Sequence, residues 1–126
     1  MKRQIVVTDV MPKAIGPYSQ AVWAGDWLFS AGQIALDPAS GTIVPGGIAE
    51  QTARVLDNIG GLLKSQGLDF GNVVKTTVFL SDMNNFAAMN EVYAKYFTKD
   101  PPARATVQAA RLPKDALVEI DFVAAR

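Results

Sequence analysis

Hydrophobic positions follow two different periods along the chain, and the change between them separates strands from helices. At the start, short runs of β-branched and aromatic residues are divided by glycine and proline, a pattern typical of strands and turns. The strands that this pattern predicts span residues 4–8, 18–24 and 27–31. Gly25 and Asp26 separate the second strand from the third, so these two are expected to form a hairpin.

Two longer stretches have a helical period instead. From residue 48 to about residue 66, apolar residues recur every three or four positions, while the charged residues lie mostly elsewhere. A second helix is predicted to begin after a cap at Ser81 or Asp82 and to end near Phe97. Asn90 falls on its apolar face, and a buried amide without a hydrogen bond costs about 1–3 kcal/mol. Asn90 is therefore expected either to hold a loop or to face a polar pocket.

The remaining runs predict three more strands. Residues 73–80 are apolar nearly throughout, and two adjacent prolines end the second helix before two further runs at residues 103–109 and 116–124. The order of elements is βββαβαββ. Two helices among six strands predict one α+β domain over residues 1–126, with both helices on one face of a mixed sheet.

Arg104 and Glu119 are placed on the last two strands. Alternation gives Arg104 and Thr106 one face of the first strand and Glu119 one face of the second. The apolar residues between them are expected to pack against the helices, which leaves both charged residues on the outer face of the sheet. Spacing alone favours a cross-strand ion pair on a solvated surface, a contact that stabilises a sheet by about 0.2–1 kcal/mol.

Composition narrows the chemistry, because the chain contains neither histidine nor cysteine. The absence of histidine and cysteine excludes a Ser-His-Asp triad, a thiolate nucleophile and any zinc site built from those residues. General acid or base chemistry is left to Asp, Glu, Lys or Tyr.

Charge and hydropathy exclude two classes of partner. The chain has 12 basic and 12 acidic residues and no basic stripe, so no nucleic acid partner is expected. No apolar run is long enough to cross a membrane and no signal segment opens the chain, so we expect a cytoplasmic protein. An apolar content of 49% is generous for so small a domain and hints at a surface buried in an oligomer.

Seven short blocks resemble successive motifs of one protein family, in order and with near-constant spacing. The blocks are Gly16-Pro17-Tyr18-Ser19-Gln20-Ala21-Val22, Gly32-Gln33-Ile34, Asn72-Val73-Val74-Lys75-Thr76-Thr77-Val78, Asn90-Glu91-Val92-Tyr93, Pro102-Ala103-Arg104, Leu112-Pro113-Lys114 and Val118-Glu119-Ile120. They resemble the reactive-intermediate deaminases, the Rid/YjgF hydrolases of enamines and imines, over essentially the whole chain. The resemblance implies a chorismate-mutase-like α+β fold that assembles as a homotrimer with active sites between subunits.

The resemblance also implies an activity and a set of site residues. The substrates are 2-imino acids and their enamine tautomers, such as 2-iminobutanoate and 2-iminopropanoate, which pyridoxal-phosphate dehydratases release from threonine or serine. Hydrolysis gives the 2-oxo acid and ammonia and needs neither a metal nor another cofactor. Carried over position by position, Arg104 grips the substrate carboxylate and Glu119 orients and activates the attacking water. The residues implied to border the substrate are Tyr18, Ala31, Gly32, Asn90 and Thr106.

The sequence shows two differences from the family pattern and leaves two alternative functions open. Many members carry serine at the position of Ala31, and some carry cysteine at the position of Thr106, and both differences bear on substrate preference more than on the type of reaction. One alternative is a module that binds small carboxylates without turnover, against which the presence of both Arg104 and Glu119 argues. The other is an RNA-cleaving translation inhibitor, against which the zero net charge argues.

Overall fold

One six-stranded sheet organises the chain. In this computed structural model, which describes residues 2–126, the strands and helices are β1 (Arg3–Val6), β2 (Ala21–Ala24), β3 (Trp27–Ser30), α1 (Ile48–Ser65), β4 (Val73–Leu80), α2 (Phe86–Tyr96), β5 (Ala103–Gln108) and β6 (Val118–Ala125). The order across the sheet is β1-β2-β3-β6-β4-β5. β4 and β5 are parallel, and the other neighbouring pairs are antiparallel. The predicted order βββαβαββ and the mixed six-stranded sheet are confirmed.

Residues 7–20 form a loop, into which both neighbouring strands were predicted to extend. The Gln20 side chain holds this loop in place. Its Oε1 accepts a hydrogen bond from the Thr8 backbone N–H at 2.8 Å, and its Nε2 donates to the carbonyl oxygens of Thr8 at 3.1 Å and Pro12 at 2.8 Å. Because the Gln20 amide supplies these partners, the Thr8 and Pro12 backbone groups need no neighbouring strand. The chain therefore leaves the sheet after β1 and rejoins it only at β2.

Both helices pack on the same face of the sheet, as predicted. A single core cluster joins the apolar side of α1 to α2 and to the inward residues of the sheet; its members include Val55, Leu56, Ile59, Leu62, Met89, Tyr93, Val78, Ile120 and Phe122. Along β6 every second residue is buried in this core, starting at Val118, and the residues between them are half-buried on the other face. No helix formed by residues 2–126 is long and apolar enough to cross a membrane.

Arg104 lies on the helix-covered face of the sheet, so the orientation predicted for it is wrong. Arg104 pairs with Thr76 of β4, and Thr76 pairs in turn with Phe122 of β6. Thr76 and Phe122 are buried beneath the helices, and residues paired across neighbouring strands point to the same face. The prediction assumed that the apolar residues of β5 would face the core. The register with β4 places Arg104 on the core side instead. Val107 faces outward, with 45% of its surface exposed.

The face of the sheet opposite α1 and α2 carries a row of apolar side chains that are exposed or half-buried. Ile5, Val22, Phe29 and Val123 are successive partners across β1, β2, β3 and β6. Ile5 and Phe29 are about half exposed, as is Trp27 beside them. An apolar surface of this kind on a small protein indicates a site of association with another surface.

Candidate active site

The pairing of β3 with β6 is interrupted, and the interruption makes room beside the sheet. Regular pairing ends where Phe29 meets Val123, and the chains meet again where Gln33 pairs with Ile120. The Gln33 N–H donates to the Ile120 oxygen at 2.8 Å, and the Ile120 N–H donates to the Gln33 oxygen at 3.0 Å. Residues 31–32 lie inside this gap, next to the outward side of β6.

Ser30 closes part of the gap with its side chain. Its Oγ accepts a hydrogen bond from the Phe122 backbone N–H at 2.9 Å, which replaces a bond that the interrupted pairing would otherwise supply. The hydroxyl of Ser30 is therefore committed to the sheet. Ala31, which follows it, brings no side-chain hydrogen-bonding group to the neighbouring cavity.

Gly32 lies directly against the Glu119 carboxylate. A Cβ at position 32 would collide with Oε2 of Glu119 and would lie 2.8 Å from its Cδ, so the close approach requires glycine. Glu119 is half-buried, and burial raises its pKa above the ordinary value of 4.5. Asp121, two residues along the same face of β6, raises this pKa further by charge repulsion. A raised pKa suits a carboxyl group that accepts and returns protons during a reaction.

Glu119 and Gly32 line a cavity of about 350 Å³ between the 7–20 loop and the gap in the sheet. Its lining consists of Pro12, Lys13, Ala14, Ile15, Tyr18, Gln20, Ala31, Gly32, Gln33, Ile34, Leu36, Pro113 and Glu119. The Tyr18 ring is half exposed at this cavity, and its hydroxyl accepts a hydrogen bond from the Ile15 N–H at 3.3 Å. Four of the predicted site residues, namely Tyr18, Ala31, Gly32 and Glu119, are thus brought together.

Arg104 belongs to a second cluster, between β5 and α2. The guanidinium carbon lies 4.8 Å from the centre of the Tyr93 ring and 5.6 Å from that of Phe86. Asn90 lies between these two aromatic residues along α2, one turn after Phe86. Oδ1 of Asn90 and Oγ1 of Thr106 are buried without a hydrogen-bond partner among residues 2–126. Buried polar atoms of this kind are costly unless a water or a ligand satisfies them.

One chain therefore contains two halves of the predicted site and does not join them. Arg104, Asn90 and Thr106 are absent from the lining of the Glu119 cavity, and Arg104 and Glu119 face opposite sides of the sheet. The ion pairs within residues 2–126 join other arginines to aspartates: Arg54 to Asp57, Arg111 to Asp115 and Arg126 to Asp26. The cross-strand ion pair that spacing alone favoured is not formed.

Several residues around the two clusters were not predicted from the sequence. Lys13 and Pro113 line the cavity, and no periodic pattern marks loop residues of this kind. Phe86 and Tyr93 contact Arg104, which neither the apolar helix face nor the family motif that contains Tyr93 revealed. Within residues 2–126 no group of three or more acidic side chains is placed to hold a metal ion.

Comparison with known proteins identifies the family. The sequence model of the family described as Endoribonuclease L-PSP matches residues 8–126. The chain is 50% identical to a mouse protein named 2-iminobutanoate/2-iminopropanoate deaminase over 97% of this chain and 90% of that one. A Yersinia pestis structure, described as a protein of unknown function of the conserved Rid protein family, is 42% identical, with a TM-score of 0.94 and coverage of 99% and 100%. The structure of Escherichia coli TdcF with bound serine is 41% identical, with a TM-score of 0.92 and coverage of 98% of both chains. The fold is accordingly that of the Rid/YjgF proteins, and the chain belongs to the Endoribonuclease L-PSP family that contains them.

Proposed function

We propose that this protein hydrolyses 2-imino acids and their enamine tautomers, including 2-iminobutanoate and 2-iminopropanoate, to 2-oxo acids and ammonia. The observation that carries the proposal is Glu119, a half-buried carboxyl group with a raised pKa that lines a cavity beside a glycine. The deaminase name of the mouse relative, at 50% identity over most of both chains, supports the same reaction.

Glu119 acts in this proposal as the proton carrier. It takes a proton from a water molecule while the water oxygen forms a bond to the imine carbon, and the electron pair of the C=N bond moves to nitrogen. Glu119 then passes that proton to the nitrogen, which gives a carbinolamine. A second transfer, from the new hydroxyl group to nitrogen, breaks the C–N bond and releases ammonia and the 2-oxo acid. An enamine first becomes the imine by taking a proton on carbon and losing one from nitrogen.

Arg104 binds the substrate carboxylate in this proposal. Its planar guanidinium matches a carboxylate with two parallel hydrogen bonds, which fixes the plane of the substrate. Asn90 on α2 and Thr106 on β5, the two elements that hold Arg104 and its rings, offer buried oxygen atoms without partners, which would meet the substrate or a bound water. Tyr18 and the backbone at Ala31 and Gly32 would border the substrate on the Glu119 side.

A homotrimer would bring the two halves together. Arg104 and Glu119 face opposite sides of the sheet, so one chain cannot place both on a single small substrate. We propose that the β5 edge of one subunit, which carries Arg104, closes the Glu119 cavity of the next. The exposed apolar row that contains Ile5 and Phe29 supports association through the face of the sheet that the helices leave open.

The chemistry of the substrate points to its source. Imino acids of this kind form when a pyridoxal-phosphate dehydratase eliminates water from threonine or serine, and they are hydrolysed or react with other molecules soon after release. We therefore propose a functional link to such dehydratases in the cytoplasm. The bound serine in the structure of Escherichia coli TdcF supports a site that accepts small α-carboxylates.

The proposal is tested by coupling a threonine dehydratase to the purified protein and following the decay of the imine. Wild-type protein is expected to accelerate the decay, and Glu119→Gln is expected to remove the acceleration while 2-oxobutanoate still binds. Glu91→Gln, an exposed change on α2, is the matched control and is expected to behave as wild type. Decay at the uncatalysed rate with wild-type protein present would end the proposal and leave the carboxylate-binding module.

RNA cleavage is a second candidate because the family description names an endoribonuclease. A hydrolytic site for RNA needs cationic groups along the phosphate backbone, and the net charge here is zero. Single-stranded RNA that remains intact with wild-type protein, under conditions where the imine is hydrolysed, would exclude it.

A further inference from the structure

The guanidinium of Arg104 lies against aromatic rings, not against an acid. Its carbon atom is 4.8 Å from the centre of the Tyr93 ring and 5.6 Å from that of Phe86. The ion pairs within residues 2–126 involve Arg54, Arg111 and Arg126. Arg104 is therefore a half-buried cation that the chain holds without a carboxylate.

Unlike a salt bridge, this arrangement leaves the N–H groups of the Arg104 guanidinium available to a ligand. A carboxylate partner would occupy the N–H groups of the guanidinium and neutralise its charge. An aromatic face attracts the cation through its ring and leaves the N–H groups, which lie in the guanidinium plane, free to donate. The same arginine can then bind an incoming carboxylate without first breaking an ion pair.

The Tyr93 ring is itself fixed. Its hydroxyl is hydrogen-bonded to Oγ1 of Thr76 at 2.7 Å, and its ring centre is 4.6 Å from that of Phe97. Only 6% of Tyr93 is exposed, whereas Phe86 has 37% of its surface exposed at the edge of the helix. One ring thus provides a rigid, buried support for Arg104, and the other contacts it from a more exposed position on α2.

We propose that Tyr93 and Phe86 are positioning residues, which fix the plane of the Arg104 guanidinium while they leave its N–H groups free for a carboxylate. The inference rests on the proposed deamination, in which Arg104 binds the substrate carboxylate. Asn90 lies on α2 between the two rings, so its unpartnered Oδ1 belongs to the same surface.

The experiment compares ring removal with ring retention. Phe86→Leu and Tyr93→Leu each remove a ring beside Arg104. Tyr93→Phe keeps the ring and loses only the hydroxyl. Phe70→Leu is the control, because it removes a ring that packs on Tyr96 and Phe97 and not on Arg104. For each variant, KM and kcat are measured for the imine, and the Kd of 2-oxobutanoate is measured by calorimetry. Circular dichroism and a melting curve establish that each variant is folded.

Removal of either ring is expected to raise KM and Kd by about three- to thirtyfold, which is the range of a cation–π contact expressed as affinity. The value of kcat is expected to change by less than about twofold, because the rings support the group that binds the carboxylate and take no part in proton transfer. Phe70→Leu is expected to keep the wild-type KM and Kd. Tyr93→Phe keeps the ring and loses the hydrogen bond to Thr76, so it is expected to weaken binding less than Tyr93→Leu does.

Wild-type KM and Kd in folded Phe86→Leu would overturn the inference, whether or not Tyr93→Leu folds. An equal loss of affinity in Phe70→Leu would also overturn it, because the effect would then be one of general core packing. Failure of the proposed function is distinguishable from either outcome. If wild-type protein binds 2-oxobutanoate without hydrolysing the imine, a weaker Kd in Phe86→Leu still supports the positioning role.

Discussion

Arg104 and Glu119 lie on opposite faces of one sheet, with β4 between their strands. Because they face opposite sides of the sheet, the two side chains have different surroundings. Glu119 lies in a cavity beside Gly32 and near another acid, and Arg104 lies against aromatic rings. If both residues act on one substrate, they must come from different subunits, and that requirement can be tested without a structure of the assembly.

Mixing two impaired variants is expected to restore activity. Arg104→Ala lacks the carboxylate clamp and Glu119→Gln lacks the proton carrier, so at a substrate concentration well below the wild-type KM each alone is expected to have little activity. In a homotrimer refolded from an equal mixture, about a quarter of the shared sites would receive an intact arginine from one subunit and an intact glutamate from the next. The coupled assay on the refolded mixture measures the recovery. No recovery in mixtures that gel filtration shows to be trimeric would mean that each chain builds its own site.

Loss of the Arg104 guanidinium is expected to act mainly on substrate affinity. A charge-assisted pair of hydrogen bonds to a carboxylate corresponds to about ten- to a hundredfold in KM, and Arg104→Lys is expected to recover only part of it because an ammonium cannot form the planar pair. Steady-state kinetics on both variants measure the split between KM and kcat. Arg111→Ala is the control, since that arginine pairs with Asp115 on an exposed loop. A wild-type KM in Arg104→Ala would remove Arg104 from the substrate site.

The pH dependence of turnover is expected to follow Glu119. Burial and the neighbouring Asp121 raise the pKa of Glu119, and the base must be deprotonated to accept a proton from water. The rate is therefore expected to fall as pH decreases through a value above 4.5. Asp121→Asn removes the charge repulsion and is expected to move this acid limb to lower pH. An acid limb that stays in place in Asp121→Asn would assign the limb to another group.

The sequence predicts the strands and helices correctly, but it does not predict the face of the sheet on which Arg104 lies. Helix α1, the hairpin of β2 and β3, and the alternation of β6 all follow local patterns of apolar residues, and each was predicted. The face of Arg104 follows from its pairing with Thr76, a contact between strands that are separated by a whole helix. β5 is an edge strand only partly covered by α2, so its polar and small apolar residues do not reveal which side faces the core.

The sequence predicted the residues around Glu119 but not the rings beside Arg104, again because the second group depends on packing between distant elements. Family motifs pointed to Tyr18, Gly32 and Glu119, which the structure places around one cavity. The roles of Phe86 and Tyr93 beside Arg104 depend on how α2 packs across β5, and an apolar helix face looks the same whether it covers a core or a cation. Periodicity distinguishes buried from exposed positions, and it carries no information on which polar group a buried ring contacts.

Gly32→Ala is expected to reduce turnover on the order of a hundredfold, because a displacement of about 1 Å at a reacting group has an effect of that size. The added Cβ would collide with the Glu119 carboxylate, whose side chain must move away. Gly47→Ala is the matched control, since a Cβ there meets only Oε1 of Glu50 at 3.8 Å. The coupled assay measures both variants. Full activity in Gly32→Ala would show that the position of the Glu119 carboxylate does not govern the reaction.

Glu119→Gln is expected to make the protein more stable at neutral pH while it lowers activity. Burial and Asp121 raise the pKa of Glu119 in the folded chain, so folding favours its protonated form. The stability that this carboxyl group contributes is fully present below its unfolded pKa near 4.5 and is lost as pH rises through the higher folded pKa. Glutamine has no charge to desolvate, so the variant is expected to have the higher melting temperature at pH 7 and to lose this advantage at acidic pH. Differential scanning calorimetry at pH 7 and at acidic pH measures the difference in melting temperature between the variant and the wild type. Glu91→Gln is the exposed control. A lower melting temperature for Glu119→Gln at pH 7 would mean that the ionised carboxylate makes a stabilising contact, and Glu119 would then be a structural residue first.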